Sequence, residues 1–350
     1  MKTELFDYAL PEGAIASRPL PERDAARMLV LDGGAIEHAT IADWPRRVPE
    51  RALVVLNDTR VRRARAFVRR AGTGGAVELL FLDALGRSGA ATAERWRVLA
   101  RANRPLKVGT RLAAPELDVE VTAIAAGGVL EVAALAPEGV DEWLDRHGHV
   151  PLPPYIRRDD EPADAERYQT VFARRTASAA APTAGLHLTR AALASLEERG
   201  VESASLTLDI GIGTFRPVAS DDLDRHPMHA ESFSVNQDTV RRVAEARARG
   251  APVVAVGTTV VRALESAADP ERPGEVRATE GETRLLIQPG YAFRVVDALL
   301  TNFHQPKSTL LALVAAFAGR DAVLAAYRAA LEHGYRFLSY GDAMWLPRRV

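Results

Sequence analysis

The sequence predicts an α/β protein interrupted by a small β-barrel, and three observations carry that expectation. Runs such as Ala52 to Leu56 and Pro252 to Val256 are apolar at nearly every position, as strands in a sheet covered on both faces must be. Segments 189–199 and 237–249 read as helices, and they alternate with strands such as Ser205 to Ile210, the order of an α/β layer fold. Between 64 and 148 the texture changes to short segments divided by Gly and Pro turns, the pattern of a small barrel.

In chain order, Arg27 to Leu31 and Ala52 to Leu56 are expected strands, the second ending at Asn57-Asp58-Thr59-Arg60. The barrel is expected from the segments starting at Val77, Arg95, Leu117 and Val129. A Pro-rich lead, Val150 to Tyr155, returns the chain to mixed α/β. The expected organisation is therefore a discontinuous α/β domain, 1–63 with 149–350, holding an inserted barrel, 64–148. A length of 350 residues fits two domains.

Formal net charge is −1, so nucleic acid could be held only through a local basic patch. The chain has no cysteine, which excludes disulfides, thiolate metal sites and a Cys nucleophile, and suits a reducing compartment. Its N-terminus lacks the apolar core of a secretory signal, and cytoplasmic location is the expectation. The apolar run Leu310 to Gly319 is about half the ~20 residues of a membrane span and reads as a buried helix.

Polar residues at the ends of these elements are the candidate site. Asp297 to Thr309 delivers Asp297, Asn302, His304 and Lys307 just before that apolar helix, and Lys307 is one of only three lysines in a chain that otherwise uses Arg. Thr183, Gly185 and His187 precede a helix N-terminus, where free N–H groups favour a carboxylate or phosphate; the other reading is a loop and cap. Gly257, Thr258, Thr259 and Arg262 form a strand, turn and helix junction, a ligand cradle or a simple cap. Asn57, Asp58, Thr59 and Arg60 follow a buried strand, and Asp342 follows Gly341; each is turn or site. Gly211, Gly213 and Thr214 begin like a dinucleotide fingerprint, but Arg216 stands where the third Gly belongs, so a nicotinamide site is rejected. His226, His229 and Glu231 resemble a metal cluster, yet Pro227 spoils the register between the imidazoles; acid/base work by His229 or Glu231, or plain structure, is preferred to metal. No GxxxxG precedes Pro306-Lys307-Ser308-Thr309, so no P-loop is expected. Six arginines within 60–70 form either an RNA-contact patch or a solvated edge.

Taken together, Phe6-Asp7-Tyr8, Leu56-Asn57-Asp58-Thr59-Arg60, Pro151 to Ile156, Arg167 to Ala173, Ala181 to His187, Gly213-Thr214-Phe215-Arg216, Met228-His229-Ala230-Glu231, Val256 to Thr259, Pro289-Gly290-Tyr291, Asp297 to Thr309 and Ser339 to Met344 resemble, in order, the motifs of the S-adenosylmethionine:tRNA ribosyltransferase-isomerase family. The resemblance implies an α/β domain with an inserted barrel and a monomeric cytoplasmic enzyme. It also implies transfer and isomerisation of the ribosyl moiety of S-adenosylmethionine onto 7-aminomethyl-7-deazaguanine in tRNA, giving epoxyqueuosine and releasing adenine and methionine. Acid/base groups would come from His187, His229, Glu231 and His304. Asp297, Asp342 or Asp58 would balance the sulfonium, and Arg60, Arg262 and Lys307 would hold carboxylate or oxyanion. S-adenosylmethionine is expected near 183–187, 211–216 and 257–259, outside the barrel, with no metal. Asp209 stands where the family usually has His, Arg62-Arg63 where it has Ile-Pro, and Leu188 and Val260 replace an aromatic residue and a Ser. These departures leave a small-molecule acceptor, or a non-catalytic RNA-binding protein, as alternatives.

Overall fold

The structure is a computed structural model that describes residues 1–87, 93–211, 218 and 220–349. Its strands are β1 (Arg27–Asp32), β2 (Ala35–Thr40), β3 (Leu53–Asn57), β4 (Thr59–Val61), β5 (Arg65–Arg70), β6 (Ala76–Arg87), β7 (Glu94–Ala102), β8 (Arg111–Ala114), β9 (Leu117–Ile124), β10 (Val129–Leu135), β11 (Arg175–Ser178), β12 (Glu202–Leu208), β13 (Glu231–Val235), β14 (Val253–Val256), β15 (Thr279–Thr283), β16 (Ala298–Asn302) and β17 (Ala343–Leu346). The α-helices are α1 (Trp44–Arg47), α2 (Val140–His147), α3 (Asp164–Arg167), α4 (Arg190–Glu198), α5 (Gln237–Ala248), α6 (Thr258–Ser266), α7 (Thr309–Ala318) and α8 (Arg320–Glu332).

Two compact units result. The larger comprises Met1–Arg60, Pro153–Asp159 and Arg167–Val350; the smaller comprises Val61–Leu152 and Asp160–Glu166. Segment 160–166, which the sequence assigns to the α/β part, belongs with the barrel because the Asp160 carboxylate lies 2.9 Å from His149 Nδ1 and accepts from the Val150 amide at 3.0 Å.

The larger unit is built on a nine-stranded sheet in the order β15-β13-β12-β3-β14-β16-β17-β1-β2. Its centre is parallel: β3 pairs in parallel with β12 and β14, and β14 with β16. Alternation along these strands feeds two cores. Leu53, Val55, Val253, Ala255 and Leu299 pack with residues of α5 to α8, whereas Val54, Leu56, Val254, Val256 and Leu300 pack with Trp44 and Leu196. Burial on both faces explains the unbroken apolar runs.

Helix starts follow local chemistry. Thr189, Asn236 and Ser308 each accept a backbone N–H at the N-termini of α4, α5 and α7. The apolar run ending at Gly319 forms α7, whose residues Leu311 to Ala315 are buried. Among the described residues no single helix is long and apolar enough to cross a membrane.

The smaller unit is a closed barrel, β10-β7-β6-β5-β8-β9. Inward positions, among them Ala66, Val68, Leu79, Phe81, Trp96, Val98, Val119, Val121 and Val132, form its core, and their period of two is the alternation visible in the sequence.

Candidate active site

The parallel strands β12, β3, β14 and β16 end at one edge of the sheet, and the crevice outside those carboxyl ends is where an open α/β sheet ordinarily holds a ligand. A cavity of about 110 Å³ opens there. Segments remote in sequence reach it: Tyr155, Thr183, His229 with Glu231, Gly257 to Thr259 with Arg262, Thr301 to Gln305, and Ser339.

Asn302, the last residue of β16, organises one wall. Its Oδ1 accepts from Thr183 Oγ1 at 3.0 Å, which turns its Nδ2 toward His187 Nε2 at 3.1 Å and the Leu338 carbonyl at 3.2 Å. With the amide oriented that way, His187 Nε2 is an acceptor and Nδ1 carries the ring proton. Burial, with Arg23 and Arg336 nearby, lowers the His187 pKa to about 4, so the ring is neutral at pH 7. His304, two residues beyond Asn302, places Nε2 2.9 Å from Thr301 Oγ1. Burial lowers its pKa to about 3. Its backbone is clamped as well, the N–H donating to Tyr327 Oη at 2.9 Å and the carbonyl accepting from Tyr8 Oη at 2.5 Å.

The opposite wall carries charge. Glu231 and Arg262 form a buried ion pair, each below 10% exposed, and Arg262 Nε also donates to the Leu285 carbonyl at 3.1 Å. Desolvation brings the Arg262 pKa down to about 10, which still leaves it charged. Arg262 is therefore committed to Glu231 and the Leu285 backbone. Beside the pair, α6 is entered from Gly257, whose φ of 97° suits glycine, and among the described residues no side chain caps that helix N-terminus. His229 is exposed, and His226 Nδ1, a buried atom, has no hydrogen-bond partner among the described residues.

The structure thus brings together Thr183, His229, Glu231, Gly257, Thr258, Thr259, Arg262, Asn302 and His304, with His187 behind Asn302. It places other candidates elsewhere. Asp297 lies at the opposite, N-terminal end of β16, where Oδ2 accepts from Arg247 at 2.6 Å and from the Val253 amide at 2.9 Å. Lys307 points to the surface and pairs with Asp7 at 2.9 Å, both about half exposed. Asn57 is consumed in fastening β3 to β12 through the Leu208 amide and carbonyl, at 3.1 and 3.0 Å. Asp58 accepts from Thr207 Oγ1 at 2.8 Å, Thr59 bonds Ser178 and Asp209, and Arg60 is exposed. Asp342 accepts the Arg27 and Arg336 amides at 2.9 and 2.8 Å. Gly185 serves packing, since a Cβ there would stand 2.7 Å from Phe172 Cζ. Gly213 and Thr214 lie outside the described residues.

Sequence reasoning missed Tyr155, whose hydroxyl lies 2.6 Å from Ser339 Oγ, and Thr301 beneath His304. Tyr155 ends the Pro-rich lead in a segment with no regular secondary structure, and only the order of the motifs could have flagged it. The arginine run is not a uniform patch either: Arg62 lies 3.1 Å from Asp141, Arg63 donates to the Asp145 carbonyl at 2.9 Å, and Arg65 pairs with Glu78 at 2.7 Å.

A sheet of this build, with acid/base and charged groups converging at its parallel strand ends, is the architecture of an α/β enzyme. A family described as queuosine biosynthesis protein matches residues 3–346. A Sorangium cellulosum protein named S-adenosylmethionine:tRNA ribosyltransferase-isomerase is 56% identical over 366 residues, covering 98% of each chain. One of the same name from Anaeromyxobacter dehalogenans is 49% identical over 354 residues, covering 100% of each. The crystal structure of S-adenosylmethionine tRNA ribosyltransferase from Thermotoga maritima matches with a TM-score of 0.55 at 33% identity, covering 98% of this chain and 99% of that one. The chain belongs to the queuosine biosynthesis family of transferase-isomerases.

Proposed function

We propose that this chain transfers the ribosyl moiety of S-adenosylmethionine to the 7-aminomethyl-7-deazaguanine base of tRNA and isomerises it, forming epoxyqueuosine and releasing adenine and methionine. The observation that carries the reading is the full-length similarity to relatives named for this activity, combined with the convergence of several of the motifs, from Tyr155 to Ser339, on one cavity. A small-molecule acceptor and a non-catalytic RNA-binding role are not favoured by that similarity.

S-adenosylmethionine supplies its own activation, because the sulfonium acidifies the neighbouring C5′ protons and makes methionine a leaving group. The protein must bind, deprotonate and protect. The uncapped N-terminus of α6, at Gly257, Thr258 and Thr259, suits the methionine carboxylate or a developing alkoxide. Glu231 is the one carboxylate among the described residues lining the cavity and suits the sulfonium; Arg262 holds it in place. His304 is neutral and so able to accept a proton, Thr301 orienting its ring, while its burial lowers its basicity below that of a free imidazole. His229, exposed at the cavity, suits proton exchange with the departing adenine. His187 acts through Asn302 and Thr183 to hold the wall. No metal enters this scheme, and a single chain carries every residue it uses.

The test is adenine release from S-adenosylmethionine, assayed with and without tRNA bearing the aminomethyl-deazaguanine base, for the wild type and for His304→Asn. Release that requires this tRNA and falls at least a hundredfold in the variant is expected. Release independent of tRNA would point instead to another acceptor.

A further inference from the structure

The barrel sorts charge by strand. Residues 62–111 hold twelve Arg and Lys against three Asp and Glu, and residues 112–150 hold one Arg against eight acids. In the closed ring β7, β6, β5 and β8 are contiguous; the first three lie wholly in the cationic stretch, and β8 begins at its end, while β9 and β10 lie in the acidic one. One side of the barrel is therefore basic although the whole chain is not.

On that side the pairing register aligns Phe67 of β5 with Glu78 of β6, and Glu78 with Arg101 of β7. The row lines a groove of about 380 Å³ together with Arg69 and Asn103. Phe67 is 47% exposed and is the only aromatic among the exposed large apolar side chains of the described residues. The Arg65 guanidinium sits 4.7 Å from the centre of its ring, the His149 ring meets it edge-on at 4.9 Å, and Arg65 neutralises Glu78. Arg69 donates to the Gly74 carbonyl at 3.1 Å; among the described residues no acid pairs with Arg69 or Arg101.

A solvent-facing aromatic ring in a row with guanidinium groups that no described acid neutralises is the chemistry of single-stranded nucleic acid binding, in which a base stacks on the ring and adjoining phosphates meet the cations. We propose that this row is a tRNA-docking groove, with one unpaired base stacked on Phe67 and neighbouring phosphates on Arg69 and Arg101. The inference rests on tRNA being the acceptor, and it assigns contact to Phe67, Arg69 and Arg101 rather than to the internally committed Arg62 and Arg63.

The test uses the full chain and tRNA bearing the aminomethyl-deazaguanine base, with affinity measured across a salt series and steady-state adenine release measured in parallel. Phe67→Ala should weaken tRNA binding on the order of tenfold, or about 1.4 kcal/mol, and raise KM for tRNA. It should leave kcat, KM for S-adenosylmethionine and the thermal midpoint unchanged, and Phe67→Trp should retain affinity. Arg101→Gln should reduce the salt slope by about one. Wild-type affinity in Phe67→Ala and an unchanged slope in Arg101→Gln would overturn the groove while tRNA-dependent turnover of the wild type stood. Absence of tRNA-dependent turnover in the wild type would overturn the acceptor itself. If polyglutamate competes with tRNA and only Arg101→Gln weakens both, the groove binds an acidic peptide and the proposal fails.

Discussion

The two units solve opposite problems with polar side chains. In the α/β unit, Asn57, His187, Glu231, Arg262, Asn302 and His304 are all buried, and each is held by named partners at the strand ends. In the smaller unit, among the described residues, no polar residue of 61–152 is buried and Asp164 is the one buried polar residue of 160–166; the barrel's interior is apolar. Buried polar networks are costly unless fully satisfied, so their concentration in one unit marks where chemistry is done. The barrel's outward charges cost little and suit recognition by a polyanion.

The sharpest way to break this contrast is Arg262→Met, which strands the Glu231 carboxylate in a buried site. A loss of about 3–5 kcal/mol of stability is expected from an unpaired buried charge, readable as a shifted denaturant midpoint. A wild-type midpoint would mean that the pair is not buried in solution.

Acid should come next and should act on the larger unit alone. His187 and His304 have folded pKa values near 4 and 3, below the ordinary 6.5. The unfolded chain therefore binds more protons once pH falls below about 6.5, and stability drops progressively until the folded imidazoles themselves titrate. The expected slope is on the order of 1.4 kcal/mol per pH unit for each imidazole. Hydrogen exchange at pH 7.5 and 5 should show opening around β16 with the barrel's protection unchanged; equal losses in both units would erase the distinction.

A smaller effect is expected for Asn302→Leu, which leaves His187 Nε2 and Thr183 without their partner and releases the imidazole tautomer. About a 10- to 100-fold fall in kcat/KM is expected, roughly 2 kcal/mol, with the thermal midpoint moving less than in Arg262→Met. Activity near wild type would reduce Asn302 to a wall residue. Smallest of all, Lys307→Met should leave turnover and midpoint close to wild type, because it breaks an exposed pair with Asp7. A large loss of turnover would return Lys307 to the site.

What the sequence made legible follows the same divide. Period-two burial in β9 and β10, and double-sided burial in β3 and β14, are written directly in residue types, so those segments that suggested strands coincide with strands. Site residues were legible as motifs but not as contacts. Asp297 and Asn302 stand five residues apart in one motif, yet an intervening strand carries them to opposite edges of the sheet. Lys307 drew attention as a rare lysine beside a proline, but its backbone turns at φ 54° and sends the side chain to Asp7. The commitment of Asn57 and Asp342 to backbone amides depends on strand neighbours that no local pattern names.

The insertion of the barrel also sets an order of assembly on the ribosome. The ring β5 to β10 needs only residues 65–135, so it can close soon after its last strand emerges. Strand β3 has no such option: its neighbours β12 and β14 begin at residues 202 and 253, and β1 waits for β17 at residue 343. At about 5–20 residues per second of synthesis, β3 spends on the order of ten seconds beside a finished barrel with both edges unpaired. With four apolar residues in five, it is the segment of the nascent chain that most needs shielding from neighbouring strands.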